Sequence, residues 1–195
     1  MQKYINGYIY PPRPKNKAPI EDIYLYDNGT FLGQPKLNGS CCSIFTNDDK
    51  IMKMGRHNNV LTRFDIQNDE IFSVFGYDTN VVVGEYMNKS KMNENGEIFN
   101  NKFVIFDQIV KDGDYLIGTT FSNRIDMMMN RYKPISETKY LYKLSDNIYM
   151  VKTFDSDLED LWNEITKIDM YEGLVLKMKN GRLKRGDRED NNTST

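Results

Sequence analysis

Residue types that often mark a chemical site are scarce in this 195-residue chain, which has two cysteines, one histidine and one tryptophan. Cys41 and Cys42 are adjacent, so they cannot form an ordinary disulfide and do not have the spacing of zinc ligands. His57 has no second histidine as a partner, and we interpret it as the neighbour of a site and not as a general base. A disulfide scaffold and a zinc module are therefore excluded.

Long apolar runs and an excess of one charge are also missing. The net charge is −2, which argues against a generally basic, histone-like binder. The longest apolar runs, such as 81–83 and 103–106, have the length of strands, whereas a membrane span needs about 20 residues. The first residues lack the apolar core of a signal peptide. We therefore expect a cytoplasmic protein without a membrane segment, with one domain over 1–195 and no oligomer.

The N-terminal segment 1–19 contains four prolines among basic residues, which predicts an extended arm without regular structure. A short helix is predicted over 20–26, with Ile23 and Tyr24 facing the core and a stop at Asn28-Gly29. The arm and the helix precede the part of the sequence that carries chemistry.

Lys36 lies just before Asn38-Gly39, between two runs of strand-forming residues. Asn-Gly in this position is the strongest short-range hairpin signal, so the sequence predicts a β-hairpin with Lys36 near the end of its first strand. A lysine amine is nucleophilic only after its pKa, about 10.4 in isolation, has been lowered by desolvation or by nearby cations. Taken alone, a lysine before a turn is more often an exposed, solvated side chain.

Further strands and helices follow from the spacing of apolar residues. The runs 81–86 and 103–107 predict buried strands, the first ending at the carboxylate of Glu85. Helices are predicted within 64–76, after Thr119 or Thr120, and after Ser156, which forms a capping box with Glu159. A core-facing stripe is predicted on the second helix, comprising Phe121, Ile125, Met128, Met129 and Tyr132.

Four motifs stand in order along the chain. They are Lys36-Leu37-Asn38-Gly39, Gly84-Glu85-Tyr86, Phe103-Val104-Ile105-Phe106-Asp107 and Glu172-Gly173-Leu174-Val175-Leu176-Lys177. Each motif alone is weak, but in this order and with these gaps they resemble the motifs of the covalent nucleotidyltransferase superfamily of ATP-dependent DNA ligases, RNA ligases and mRNA capping enzymes. The resemblance extends from Gln34 to the end of the chain and implies an α+β fold, with antiparallel sheets, flanking helices and a central nucleotide cleft.

The resemblance implies an ATP-dependent polynucleotide ligase, which joins 5′-phosphate and 3′-hydroxyl ends of nucleic acid through a lysyl-AMP intermediate. In such an enzyme Lys36 would attack the α-phosphate of ATP. Glu172 and Glu85 would be the carboxylates on Mg²⁺, and Glu85 would also bind the nucleotide ribose. Gln34 would contact the adenine, with an amide able both to accept and to donate a hydrogen bond, and Phe106 would stack on the base.

Basic residues complete the implied site. Arg56 corresponds to an arginine near the nucleotide sugar and the substrate phosphate. The last family motif, a Lys-x-Lys strand that contacts the α-phosphate, is not evident after Arg188. Either Lys177 with Lys179, or Lys184, takes its place, or the chain stops short of this motif and of the oligonucleotide-binding domain that often follows.

Two departures from the family pattern leave alternatives open. Asn38 replaces the usual aspartate, and Cys41 stands where an arginine is usual. The relaxed lysine motif is more typical of RNA ligases, while the remaining motifs fit RNA or DNA ligases. A capping-type guanylyltransferase and a catalytically silent protein that binds nucleotide or nucleic-acid ends are the alternative functions.

Overall fold

The structure, a computed structural model, describes residues 11–185 and 189–194. Within these residues it contains β-strands, three α-helices and one 3-10 helix. In chain order they are β1 (Pro14–Lys17), the 3-10 helix (Ile20–Tyr26), β2 (Phe31–Leu37), β3 (Ser40–Asn47), β4 (Lys50–Gly55), α1 (Asn68–Phe75), β5 (Asn80–Met87), β6 (Lys91–Met92), β7 (Ile98–Phe99), β8 (Lys102–Lys111), β9 (Asp114–Tyr115), α2 (Phe121–Arg131), β10 (Ser136–Glu137), β11 (Leu141–Lys143), β12 (Ile148–Val151), α3 (Leu158–Ile165), β13 (Tyr171–Met178) and β14 (Glu189–Ser194).

The strands form two main sheets and a small ribbon. A four-stranded sheet has the order β1-β14-β13-β2, and an eight-stranded sheet has the order β10-β11-β12-β8-β5-β3-β4, with β9 paired to β8. β6 and β7 form the ribbon. Most pairs are antiparallel, but β1–β14 and β12–β8 are parallel. The predicted α+β class is confirmed, with these two parallel pairs as the departure.

The predicted hairpin around Lys36 is wrong. β2 pairs with β13 in the four-stranded sheet, whereas β3 pairs with β4 and β5 in the other sheet. Asn38-Gly39 is therefore a crossing between sheets. A Cβ on Gly39 would lie 2.6 Å from the carbonyl oxygen of Tyr86, so glycine is needed here for close approach to β5 and not for a hairpin turn. Lys36 still lies next to the end of β2, as predicted.

Three apolar clusters hold the layers together. One joins the inner face of the four-stranded sheet, including Leu174 and Leu176, to α3 and to Val104 of β8. A second packs α1 and α2 against the other face of the eight-stranded sheet, and a third lies along β3, β4 and β5. Each buried leucine-sized side chain contributes about 1.5–3 kcal/mol. This packing fixes β2 and β13 opposite β3, β5 and β8.

The predicted faces of two helical segments are partly wrong. Ile23 is buried, but Tyr24 is 60% exposed. On α2, Phe121 and Met128 are buried, as is Tyr132 directly after it, whereas Met129 is 38% exposed. Adjacent residues on an α-helix point about 100° apart, and the buried face of α2 takes in Met128 but not Met129. Each prediction placed two adjacent residues in the core, and in the structure only one of each pair, Ile23 and Met128, is buried.

Helix capping differs between α2 and α3. The Thr120 side chain accepts a hydrogen bond from the Asn123 N–H at 3.2 Å and caps α2, as predicted. The predicted capping box of α3 is wrong, because the residue before the helix is Asp157, in the left-handed region with φ 56°. The Leu158 N–H instead donates to Asp27 Oδ2, 3.2 Å away in a distant part of the chain.

The N-terminal segment is more regular than predicted. Part of it forms β1, which pairs with β14, whereas residues 1–10 lie outside the described residues. No helix in the described part of the chain is long and apolar enough to cross a membrane.

Candidate active site

A cavity of about 570 Å³ lies between the two main sheets. Its walls come from β2 and β13 on one side and from β3, β5 and β8 on the other. All the residues predicted for the site line this cavity except Lys179 and Lys184. The predicted residues along it are Gln34, Lys36, Arg56, Glu85, Phe106, Glu172 and Lys177.

The pairing of β2 with β13 positions the candidate nucleophile. Lys36 lies opposite Gly173, and the register shifts between Tyr171 and Gly173, so Glu172 is an extra residue on β13. Such a bulge redirects a side chain, and Gly173, with φ 146°, allows it. Glu172 Oε1 lies 2.6 Å from Lys36 Nζ, with side chains 41% and 37% exposed. The lysine is therefore held by a carboxylate that is itself open to solvent.

Glu85 is the second carboxylate at this end of the cavity. It lies opposite Cys41 in the pairing of β3 with β5, and its Oε1 accepts a hydrogen bond from the Gly39 N–H at 3.2 Å. Burial raises the pKa of Glu85 to about 8, and the charge of Glu172 adds to the rise. The Gly39 N–H and the cations Lys36 and Arg56 oppose it. This carboxyl therefore changes charge near neutral pH.

Gln34 lies at the other end of the cavity and is 2% exposed. Its Nε2 donates to the Phe106 carbonyl oxygen at 3.3 Å and to Thr153 Oγ1 at 3.2 Å. These bonds engage both amide hydrogens, so the predicted second bond, from the amide to a ring nitrogen of the base, has no donor left. The Gln34 Oε1 is buried and accepts no hydrogen bond from the described residues. A buried acceptor that the N–H of a ligand could satisfy thus remains.

Phe106 reaches the cavity because β8 also contains a bulge. Val83 pairs with Asp107 and Gly84 pairs with Ile105, which leaves Phe106 without a directly opposite residue. The Nζ of Lys177 lies 5.1 Å from the Phe106 ring centroid and 4.5 Å from the Phe121 centroid. Lys177 is 3% exposed, so its charge is enclosed between aromatic rings. A flat ring beside a fixed cation forms the wall at this end.

A buried ion pair that the sequence analysis did not identify supports this wall. Arg124 of α2 donates to both carboxylate oxygens of Asp107, at 2.8 and 3.0 Å, and to the Thr119 carbonyl oxygen at 2.8 Å. Burial alone would raise the pKa of Asp107, but Arg124 and Lys177 hold it below its usual range. Arg124 lies three residues after Phe121, on the buried face of α2, and that spacing was the available signal.

The remaining basic residues divide into two groups. Arg56 Nε donates to His57 Nε2 at 3.0 Å, and both side chains line the cavity. Lys179 follows β13, where its backbone N–H donates to the Thr30 carbonyl oxygen at 2.9 Å, and Lys184 is exposed. Neither Lys179 nor Lys184 lines the cavity, so the structure does not bring them together with the other predicted site residues.

The carboxylates fit the coordination habits of magnesium. The described part of the chain has no cluster of three or more histidine, cysteine or acidic residues that could cage a metal. Glu85 and Glu172 both lie beside Lys36, and the charge of one raises the pKa of the other. Mg²⁺ is usually held by one or two carboxylates together with waters and substrate phosphates. These two residues therefore suit an ion that is also held by a nucleotide.

The fold matches known ligase structures. Compared by sequence, the chain matches no protein-family model and no curated protein. By structure it is similar to mycobacterial DNA ligase D complexed with ATP and MES, with a TM-score of 0.70 and 14% identity over 98% of this chain and 60% of that one. It is also similar to a Lig E DNA ligase (TM-score 0.59, 18% identity, 96% and 69% covered) and to Chlorella virus DNA ligase-adenylate (TM-score 0.53, 13% identity, 95% and 68% covered).

The chain therefore has the fold of the nucleotidyltransferase domains of DNA ligases. It spans about 60% of the length of the DNA ligase D chain that it matches. At identities of 13–18%, the structural similarity establishes the fold and nothing further.

Proposed function

We propose that this chain is the adenylate-forming domain of an ATP-dependent polynucleotide ligase and carries AMP on Lys36. The observation that carries the proposal is the position of Lys36, 2.6 Å from Glu172 in a cavity whose other end presents Gln34 and Phe106. A volume of about 570 Å³ falls within the range of about 300–1,000 Å³ common for ligand sites. The similarity to a DNA ligase complexed with ATP supports this choice of nucleotide.

The base end suits a purine that offers an N–H donor; adenine and guanine both do, so the choice of adenine rests on the similarity to a ligase complexed with ATP. Gln34 Oε1 is a buried acceptor, and the exocyclic amine of adenine is a donor that would satisfy it. Phe106 offers a ring on which a purine can stack, a contact of about 1–3 kcal/mol. Lys177, enclosed beside that ring, holds it in place and adds positive charge to the wall.

The chemical step is an in-line displacement at phosphorus. The Lys36 amine attacks the α-phosphorus of ATP, a P–N bond forms, the bond to the oxygen bridging the α- and β-phosphates breaks, and pyrophosphate leaves. The amine must be neutral to attack, so the Lys36 ammonium first gives a proton to solvent water, to which its ion pair with Glu172 is open. Glu172 and Glu85 would hold Mg²⁺, which when bound offsets charge on the phosphate oxygens.

The later steps would use the same cavity. The AMP group passes from Lys36 to the 5′-phosphate of a nucleic-acid end, and a 3′-hydroxyl then displaces AMP and joins the ends. Arg56 lines the cavity on the side of Lys36 and Glu85, and its guanidinium suits the entering 5′-phosphate.

The proposal is tested by incubating the protein with Mg²⁺ and either α-labelled ATP or α-labelled GTP. We expect an acid-labile label from ATP that is lost in Lys36→Arg, because arginine stays protonated. Lys50→Arg is the matched control, since Lys50 is exposed and lies outside the cavity. A label from GTP alone would indicate a guanylyltransferase, and no label from either nucleotide would indicate a silent binding protein.

The substrate is tested separately with nicked duplexes that carry a 5′-phosphate on a DNA or an RNA strand. Sealing by the wild-type chain, lost in Lys36→Arg and retained in Lys50→Arg, is the expected result for the preferred strand. Labelling without sealing of either duplex would restrict the activity of this chain to lysine adenylation.

A further inference from the structure

Thr153 lies in the segment between β12 and α3, beside Gln34 but outside the cavity. It belongs to none of the sequence motifs. The next residue, Phe154, forms a β-bridge with Gly33, in which the Gly33 N–H donates to the Phe154 carbonyl oxygen at 2.7 Å and the Phe154 N–H donates to the Gly33 carbonyl oxygen at 2.9 Å. Gln34 follows Gly33 directly, so this bridge holds the half-buried Thr153 side chain next to the Gln34 amide.

The hydrogen bonds of Gln34 fix the direction of its amide. A backbone carbonyl oxygen can only accept, so the Phe106 carbonyl, 3.3 Å away, requires Nε2 and not Oε1 on its side. The Thr153 hydroxyl oxygen accepts the second amide hydrogen, at 3.2 Å. Because Nε2 donates to two groups of the protein, the amide presents only Oε1, which accepts no hydrogen bond within the described part of the chain. Gln34 therefore offers a ligand an acceptor but no donor.

An acceptor in this position distinguishes purines by the groups on their edges. The exocyclic amine of adenine donates hydrogen bonds, whereas a purine without an amine offers only ring nitrogens, which accept. A half-turn of the Gln34 amide about its last bond would place Nε2 towards the ligand, and the site would then suit the second kind of purine. Both hydrogen bonds of Nε2 oppose this turn, so the Thr153 hydroxyl contributes to the preference without touching the ligand.

We propose that Thr153 is a positioning residue of the nucleotide site, which sets the preference for a purine with an N–H donor by holding Oε1 of Gln34 towards the ligand. It acts through Gln34 and makes or breaks no covalent bond. Valine has nearly the shape of threonine but accepts no hydrogen bond, so Thr153→Val frees one amide hydrogen, which can then be donated to a ring nitrogen. The inference rests on the proposed function, because it takes the adenosine part of ATP as the ligand.

The test measures the dissociation constants of adenosine and of purine riboside, the nucleoside without the amine, by titration calorimetry. In wild type the ratio of the two constants should favour adenosine by about 2–10-fold, the effect of one neutral hydrogen bond. In Thr153→Val the ratio should fall to about one, and Thr153→Ala, which also lacks the hydroxyl, should behave in the same way. Thr153→Ser keeps the hydroxyl and should keep the wild-type ratio.

Two further proteins separate positioning from a general structural effect. Thr79→Val is the matched control, because Thr79 is also half-buried and donates to Asn47 Oδ1 at 3.1 Å, away from the cavity; its ratio should be that of wild type. Adding Thr153→Val to Gln34→Leu should leave the ratio of Gln34→Leu unchanged, because the amide through which Thr153 acts is gone.

The ratio of the two constants cancels a general loss of affinity. Weaker binding of both nucleosides in Thr153→Val, with an unchanged ratio, would show that Thr153 is merely structural and would overturn the inference. A ratio near one in Thr153→Ser, or in a wild-type chain that ATP labels at Lys36, would overturn the inference and leave the proposed function standing. A wild-type chain that binds neither nucleoside nor ATP and is not labelled would overturn both.

Discussion

The two ends of the cavity are built differently. At the end that the proposed function assigns to the base (the base end), Gln34 and Lys177 are 2% and 3% exposed, and Gln34 is held by two hydrogen bonds. At the end that it assigns to the phosphates (the phosphate end), the Lys36 and Glu172 side chains of the ion pair are each about 40% exposed. The first end is a rigid wall, and the second is an open arrangement of charges.

Under the proposed function, the base end binds the nucleotide and the phosphate end carries out the chemical step. The base end needs little rearrangement to accept a purine, because its side chains are fixed before the ligand arrives. Exposed ion pairs are worth about 0–1 kcal/mol, so Lys36 and Glu172 can exchange partners at little cost when a nucleotide and a cation enter. We therefore expect substitutions at the base end to affect folding or affinity and substitutions at the phosphate end to affect adduct formation.

The largest effect on stability is predicted for Arg124→Met. It leaves Asp107 buried without its partner and should lower the free energy of unfolding by about 3–5 kcal/mol. Lys139→Met is the control, because it breaks an exposed pair with Glu164 and should cost about 0–1 kcal/mol. Urea unfolding followed by the fluorescence of Trp162, the one tryptophan, measures both. Equal losses in the two variants would contradict the rigid base end.

At the phosphate end, Glu172→Ala should slow adduct formation by about 10²–10³-fold, the usual cost of removing one electrostatic contact to a transition state. Its stability should change by less than about 1 kcal/mol, because the pair with Lys36 is exposed. Glu172→Gln keeps the shape of the side chain but removes its charge, so comparing its labelling rate with that of Glu172→Ala separates the two contributions. A wild-type rate of labelling in Glu172→Ala, with unchanged dependence on Mg²⁺, would reduce Glu172 to a surface ion-pair partner.

Glu85 should make stability depend on pH. Its folded pKa, about 8, lies above the unfolded value of 4.5, so the stability that it contributes is present below about pH 4.5 and is lost as the pH rises towards 8. Glu85→Gln stays neutral and should lack this loss. The measurement is urea unfolding of both proteins across this range. If the free energy of unfolding changed with pH in the same way in both proteins, the Glu85 carboxyl would not be held in its protonated form.

The smallest effect is predicted for the Gln34 acceptor. Wild type should bind adenosine about 2–10-fold more tightly than purine riboside, which lacks the exocyclic amine, because one neutral hydrogen bond contributes about 0.5–1.5 kcal/mol. Gln34→Leu should remove the preference. Comparing two ligands on each protein cancels any general loss of affinity, and a preference that persists in Gln34→Leu would place the amine elsewhere.

Local sequence patterns predicted much of the scaffold. The strand containing Glu85, the strand containing Phe106 and the cap at Thr120 all follow from residues within a few positions of one another. The order of the motifs also nominated residues that the fold brings to one cavity, although they are far apart in the chain.

Other features depend on contacts between distant segments. Asn38-Gly39 has the sequence of a hairpin turn, yet β2 pairs with β13 and not with β3. β13 lies far along the chain from β2, so no local pattern indicates this pairing. No pattern in the neighbouring residues predicts the bulges at Phe106 and Glu172, since each arises from the register with a partner strand. The strand in the N-terminal segment could not be predicted, because β1 pairs with β14, far away along the chain.

The most direct test of the account is to locate the adduct. The protein is incubated with ATP and Mg²⁺, digested at a pH that preserves phosphoramidates, and mapped by mass spectrometry. The account predicts AMP on the peptide that contains Lys36, removed by acid or by pyrophosphate. AMP on Lys177 or another lysine, or no AMP in a chain that binds ATP, would contradict it.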